Sequence, residues 1–195
     1  VVDCSRHFRG ISWSNQSKQM VSVEPGVVLD HLNRFLGKHG RQFGPDVATS
    51  SRANLGGMIG NNSAGAHSIR YGHTSEHVAG LECVLSNGEE VVFEPVSREE
   101  ADIRAQGDSR EARLYREIPD LVEHHADEIR DRFPNTRRNS SGYGLDRFLD
   151  RLQEGIVDFT QLICGSEGTL AVVARAELET VPAPQKQALL VYHAD

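Results

Sequence analysis

Apolar positions along the chain change their spacing several times, and the changes mark the predicted elements. Ile11-Ser12-Trp13 and Val21-Ser22-Val23 alternate apolar with polar and read as short strands, as does Val1-Val2. After Pro25-Gly26, the residues Val28, Leu29, Leu32, Phe35 and Leu36 fall on one helical face, and Gly40 stands where a left-handed C-terminal cap belongs. Strand, turn, helix and glycine stop read as half of an α/β unit. Val78 to Leu85 and Glu90 to Phe93 are strand-like runs joined at Asn87-Gly88, which predicts a hairpin.

From residue 97 the period becomes helical. Ser97 with Glu100 fits a capping box, and Leu114, Ile118, Leu121, Val122, His125 and Ile129 continue a stripe through Arg132. Pro119 separates two helices or kinks one. Asn139 to Gly144 is irregular, and a short helix follows around Leu145–Leu152. The end of the chain reads as β: Phe159 to Cys164, then Leu170 to Val181, then Ala188 to Tyr192. No internal repeat or low-complexity tract interrupts the pattern.

Ala53 to Gly72 has neither period. Five of these twenty residues are glycine, and its apolar side chains are few. Such a run reads as a loop that trades packing for close backbone approach, a cradle for a phosphate or a flat ring; the competing reading is a flexible linker.

Composition narrows the classes. The 195 residues carry a formal net charge of −7, without the basic face that nucleic-acid binding would require. An anionic ligand would therefore be met by backbone N–H groups and one or two arginines. No apolar run approaches the roughly 18 residues of a membrane span. Cys4, Cys83 and Cys164 are dispersed, so neither a disulfide framework nor a zinc or iron–sulfur site is built from them, and a reducing cytoplasm is the expected setting. The three Asn-x-Ser triplets, at Asn15, Asn61 and Asn139, carry no weight without a secretion signal. The start at Val1 is neither a signal peptide nor an initiator methionine, and predicts a segment lying inside a larger protein.

Several familiar patterns fail. Gly56-Gly57-Met58-Ile59-Gly60 is not a dinucleotide fingerprint, and no Gly-Lys-Ser/Thr follows it. Gly165-Ser166-Glu167-Gly168 lacks the glycine two residues before Ser166 that a nucleophile elbow needs, which excludes a hydrolase. His73 and His77 are four apart but have no third ligand, so no metal site is expected. His124-His125 reads as a solvated helix face. Arg137 and Arg138 are exposed arginines that could meet an acidic substrate or partner.

The ordered set Pro45-Asp46, Gly56-Gly57 with Asn62 and Gly65, Tyr71-Gly72, Gly80 to Gly88, and Gly165-Ser166-Glu167-Gly168-Thr169-Leu170-Ala171-Val172-Val173 resembles the FAD-binding domain of the vanillyl-alcohol oxidase (PCMH-type) superfamily. Within it, the likeness is to the branch of D-lactate, D-2-hydroxyglutarate and glycolate dehydrogenases. It spans roughly residues 20–185. The departures are Met58 where relatives often have Asn, Cys83 where Val is usual, and Ala171 where Gly is common.

The resemblance implies an α+β, two-subdomain FAD-binding fold truncated at both ends. Residues 1–50 would complete a first subdomain, 51–185 would form a second with a mixed or antiparallel sheet and a helical insertion over 97–155, and 186–195 would begin a cap domain. A first phosphate loop would precede residue 1. The cap, with the substrate arginines and the catalytic histidine, would follow residue 195.

FAD is the implied cofactor. Pro45, Asp46, Gly56, Gly57, Gly60, Asn61, Asn62, Ser63, Gly65, Gly168, Val172 and Val173 would line it, the two valines near the adenine. For these valines, plain strand core is the equal alternative. His67 would be polar and solvent-facing or beside the flavin, although some relatives attach FAD through a histidine.

The implied activity is oxidation of a D-2-hydroxy acid by hydride transfer to flavin N5. Electrons would pass to an iron–sulfur module, a quinone or an electron-transfer protein. Asn139 to Gly144 suggests members fused to an iron–sulfur module outside this segment. The expected location is the cytoplasm, with peripheral attachment at the inner membrane as the second possibility. Two alternatives stay open: a non-catalytic docking domain that holds FAD weakly or not at all, and a flavin oxidase of a sugar or aromatic alcohol.

Overall fold

The computed structural model describes residues 2–136, 139–186 and 188. Its elements run β1 (Ile11–Trp13), β2 (Met20–Val23), α1 (Leu29–Gly37), β3 (Arg41–Gln42), α2 (Leu55–Gly60), α3 (Ser68–Tyr71) and a 3-10 turn (Thr74–His77). Next come β4 (Val78–Val84), β5 (Glu90–Phe93), β6 (Val96–Ser97), α4 (Arg98–Arg104), α5 (Arg110–His124) and α6 (Ala126–Arg132). The last are α7 (Leu145–Gln153), β7 (Ile156–Val157), α8 (Thr160–Ile163), β8 (Val172–Glu179) and β9 (Val181–Pro182). This is the expected α+β class.

Five strands form one antiparallel sheet in the order β1-β2-β8-β4-β5. Its register explains the alternation in the sequence. Val23, Ala176, Leu81 and Phe93 form a cross-strand row on one face, and Val21, Leu178 and Val78 form the next. All are buried. On the other face Arg175 reaches Glu82 at 3.3 Å and Glu24 at 3.8 Å, as befits a sheet solvated on one side. Strands from before residue 50 and after residue 78 thus share one sheet. The strand–turn–helix of residues 20–37 leads into antiparallel pairing and not into the parallel crossover of an α/β unit.

The helix α1 buries Leu29, Leu32 and Leu36, and Gly40 adopts φ +67° two residues past its cap. The hairpin at Asn87-Gly88 is present. Leu85 donates to the Glu89 carbonyl at 2.9 Å and Gly88 to the Leu85 carbonyl at 2.9 Å, with Gly88 at φ +84°. That is a three-residue loop with a left-handed glycine, the second commonest hairpin geometry.

Three readings change. Pro119 does not separate two helices, the first of the two alternatives: it lies inside α5, which starts at a Ser109 cap accepting from Ala112 N at 3.0 Å, and the break falls at His125. The capping box is half formed: Ser97 accepts from Glu100 N at 3.2 Å, while the Glu100 side chain turns to Arg104. Phe159 to Cys164 is not a strand. Thr160–Ile163 is one helical turn, wholly buried, beside the ring of Phe159, which meets Phe93, Tyr115 and Phe148 at centroid distances of 5.1, 4.9 and 5.4 Å. This aromatic cluster fastens the helical residues 97–155 to the sheet. Val2 lies outside any strand, and Val1, Arg137, Arg138 and residues 189–192 fall outside the described residues.

Candidate cofactor site

The glycine-rich stretch is not an open loop. Leu55, Met58 and Ile59 are buried on one side of α2, at i, i+3 and i+4, which leaves Gly56, Gly57 and Gly60 on the other. Gly56 is needed for packing: a Cβ there would stand 2.7 Å from Pro25 Cβ. The N–H groups of Leu55 and Gly56 donate to the carbonyls of Val27 and Pro25 at 2.8 and 2.9 Å, so this end of α2 is bound to the preceding turn rather than bare. At Gly57 a Cβ would meet nothing within 4 Å, and at Gly60 only Glu167 Cα at 3.9 Å.

The Gly165–Gly168 loop is fastened to the far end of the same helix. Gly165 donates to the Ile59 carbonyl at 2.9 Å and Glu167 to the Gly60 carbonyl at 2.8 Å. Gly165, Glu167 and Gly168 all have positive φ (92°, 53° and 74°), a conformation that Glu167 holds against the usual preference of a side-chain residue. Tyr143 Oη meets Thr169 Oγ1 at 3.0 Å, and Thr169 Oγ1 donates to the Ser166 carbonyl at 2.6 Å. Residues 139–144 therefore brace this loop.

Between these pieces lies a cavity of about 710 Å³. Of the residues expected to hold a cofactor, Gly56, Gly57, Gly60, Gly168, Val172 and Val173 line it. The sequence reading missed Asp3 and Cys4, which reach it from the N-terminal segment, and Glu167, Pro25 and Asn54. Asp3 and Glu167 are its charged lining groups among the described residues; no lysine or arginine joins them there.

Asn61, Asn62 and Ser63 line a second cavity of about 290 Å³ with Ala64, His73, Ser140 and again Glu167. Asn62, at φ +48° and 1% exposed, accepts from Ser75 N at 2.9 Å through Oδ1, while its buried Nδ2 has no partner among the described residues. Ser63 donates to Asn61 Oδ1.

Pro45, Asp46 and Gly65 line neither cavity. Asp46 is paired with the exposed His67, through Nδ1 of the ring and through the backbone N–H at 3.1 Å. Burial works to raise the Asp46 pKa, but the His67 hydrogen bonds outweigh it and hold the carboxyl below its ordinary value. Gly65 lies so close that a Cβ would come within 2.0 Å of Asp46 Oδ1. His73 and His77 do not converge: His77 Nε2 lies 2.6 Å from the Tyr71 carbonyl oxygen, and His73 turns Nδ1 to Glu76. Among the described residues no group of three metal-ligating side chains assembles.

A helix end, a left-handed turn and a strand start, meeting over bare glycine backbone, suit a flat or extended cofactor. Side chains at Gly57 or Gly60 would project into the space, which falls within the usual range of ligand cavities. Residues 1–94 match the family model described as an FAD binding domain. It is 40% identical over 186 residues to the D-2-hydroxyglutarate dehydrogenase of Pantoea ananatis, covering 95% of this chain and 18% of that protein. The D-2-hydroxyglutarate dehydrogenase of Escherichia coli is 36% identical over 191 residues (97% and 19%). The glycolate oxidase subunit GlcD of Bacillus subtilis is 26% identical over 186 residues (95% and 28%). The chain thus spans about a fifth of the length of the first two relatives. Among solved structures, alkyldihydroxyacetonephosphate synthase superposes with a TM-score of 0.54 at 17% identity, covering 93% of this chain and 23% of that one, a likeness of fold.

Proposed function

We propose that the larger cavity is one wall of an FAD site in an oxidoreductase that oxidises a D-2-hydroxy acid of the 2-hydroxyglutarate, lactate or glycolate kind. The observation that carries the reading is the convergence of Gly57 and Gly60 with Gly168, Val172 and Val173 on one cavity, in a chain whose relatives are D-2-hydroxyglutarate dehydrogenases. Bound FAD would supply a hydride acceptor at N5.

The chain's own work is binding and orientation. Gly57 and Gly60 offer bare backbone to a ring or sugar, and the start of β8 offers backbone groups to a base edge. Asp3 and Glu167 are acceptors, suited to the hydroxyl groups of a sugar and unsuited to a phosphate. Asn61, Asn62 and Ser63 belong to the same site from its polar side. Pro45, Asp46 and Gly65 act behind it, as the packed corner that fixes where residues 61–67 run.

The division into a first FAD subdomain before residue 50 and a second after it is part of the proposal, as is an electron acceptor of iron–sulfur, quinone or protein type. No helix among the described residues is long and apolar enough to cross a membrane.

Purified whole protein should show flavin absorbance that bleaches on anaerobic addition of D-2-hydroxyglutarate, D-lactate or glycolate. Flavin-free protein, or flavin unchanged by all three acids, would refute the reading.

A further inference from the structure

The charges of this chain are unevenly divided. Residues 1–75 hold eight lysines and arginines against four acids, whereas residues 76–195 hold thirteen against twenty-four. The net charge of −7 therefore conceals a positive first part, and some of it gathers around α1. Leu29, Leu32 and Leu36 take the buried side of that helix. His31, Arg34 and Lys38, at i, i+3 and i+7, share an exposed one. The turn between β1 and β2 adds Lys18, whose Nζ donates to His39 Nδ1 at 3.2 Å, just past the end of α1.

Aromatic rings fix the two segments to each other. The centroid of Trp13, on β1, lies 5.3 Å from that of Phe35 and 5.4 Å from that of His39. Among the described residues, Lys18, Arg34 and Lys38 make no ion pair; the ion-paired arginines all lie later, from Arg98 to Arg175. Asp30, one helical turn before Arg34, sits in the first turn of α1 and is not paired with it. Arg34 and Lys38 are themselves a like-charged i, i+4 pair, which weakens a helix. Carboxylates brought from outside would offset that repulsion.

We propose that the face formed by Lys18, Arg34 and Lys38 is a docking surface for another protein, which meets it with a cluster of carboxylates. It would dock that partner whether or not the larger cavity holds flavin. Other anionic occupants fit less well. Three cations fall short of the roughly six to ten phosphate contacts of a duplex-binding protein. A bilayer is gripped by apolar side chains beside the charges, and none of the exposed large apolar residues lies on α1 or in the β1–β2 turn. A second copy would offer its acidic residues after position 75, a head-to-tail contact that builds rings or filaments.

Fluorescence polarisation of fluorescein-labelled octaglutamate, added to the whole protein, reads this face. Saturable binding that weakens as sodium chloride rises is expected. Combining Lys18→Glu, Arg34→Glu and Lys38→Glu should weaken it about tenfold or more. Arg132→Glu, which reverses an exposed cation on α6, should leave it unchanged. Circular dichroism verifies that each variant is folded. N-hydroxysuccinimidyl acetate should acetylate Lys18 and Lys38 in the whole protein, and octaglutamate should protect both.

Octaglutamate that does not bind, or that binds the triple variant as tightly as the parent, overturns the proposal. So does failure of both lysines to react, because the rest of the whole protein would then cover the face. Binding to vesicles of equal parts phosphatidylcholine and phosphatidylglycerol, without binding to octaglutamate, assigns a membrane in place of a protein. An oligomer that the triple variant disperses, again without octaglutamate binding, assigns a second copy. Either result overturns the proposed partner.

Discussion

Glycines of the same stretch do opposite jobs, and only the coordinates separate them. At Gly65 a Cβ would lie 2.0 Å from Asp46 Oδ1 and 2.5 Å from its backbone nitrogen, so Gly65→Ala forces main chain to shift. We expect a loss of about 2 kcal/mol, measured by urea unfolding. Gly57 has open space in front of it. Gly57→Ala should leave the fold as stable or gain up to about 1 kcal/mol, because alanine is the better helix former, while FAD affinity falls. A Gly57→Ala protein that binds FAD as the parent does would show that this face is not the cofactor wall. The sequence singled out both glycines through glycine density and their place in a motif, and neither can tell a packing contact from a cavity wall. Asp46 was likewise found by its place in a motif; its partner His67, twenty-one residues on, has no signal in local spacing.

At the scale of elements, legibility followed how local the cause was. The α1 stripe, the Asn87-Gly88 hairpin and the Ser97 and Ser109 caps are set by neighbouring residues; all but the Ser109 cap were read correctly. Thr160–Ile163 was misread because it sits in an apolar run whose conformation depends on where Phe159 packs, among rings from β5, α5 and α7. The helix α2 was hidden by its glycines although Leu55, Met58 and Ile59 carried the correct spacing. One contact between elements has a pH dependence. The Glu89 carboxylate, in the hairpin loop, accepts from the backbone N–H groups of Glu111 and Arg110 at 3.1 and 3.0 Å at the start of α5. The hydrogen bonds from Glu111 N–H, from the Asn87 side chain and from Arg110 N–H hold its pKa below the ordinary value. A carboxyl with a depressed folded pKa adds stability above its unfolded pKa and loses it as the pH falls through the folded one. Glu89→Ala should therefore be less stable than the parent at neutral pH, with the gap closing on acidification below the ordinary carboxylate range. A gap independent of pH would assign the contact no charge component.

At the scale of the whole molecule, the three thiols report on the core and the cavity separately. Burial raises the Cys83 pKa to about 12 and pushes Cys164 up further, with both side chains packed in the core. A thiol reacts as its thiolate, so alkylation in the native state should spare both. Cys4 is half-buried and lines the larger cavity. It should be the residue that iodoacetamide labels first, and saturating FAD should slow that labelling. Mass mapping after a short pulse checks both outcomes: labelling of Cys83 or Cys164 ahead of Cys4 contradicts the packing, and a Cys4 rate indifferent to FAD contradicts the cavity's occupant.

The central strand of the sheet is also the last of its five strands to be synthesised. The β1–β2 and β4–β5 pairs are each local, yet they touch only through β8, whose first residue is 172. A ribosome that has passed Phe93 has delivered every glycine of α2 and two hairpins with nothing between them, and isolated hairpins are marginal in water. Until β8 arrives, both leave an unpaired edge for other chains to find. A chain stopped after Thr169 should be digested rapidly by protease and prone to aggregate, whereas one stopped after Pro184 should resist. Cofactor capture would then be set by the arrival of β8 and not by that of the glycines.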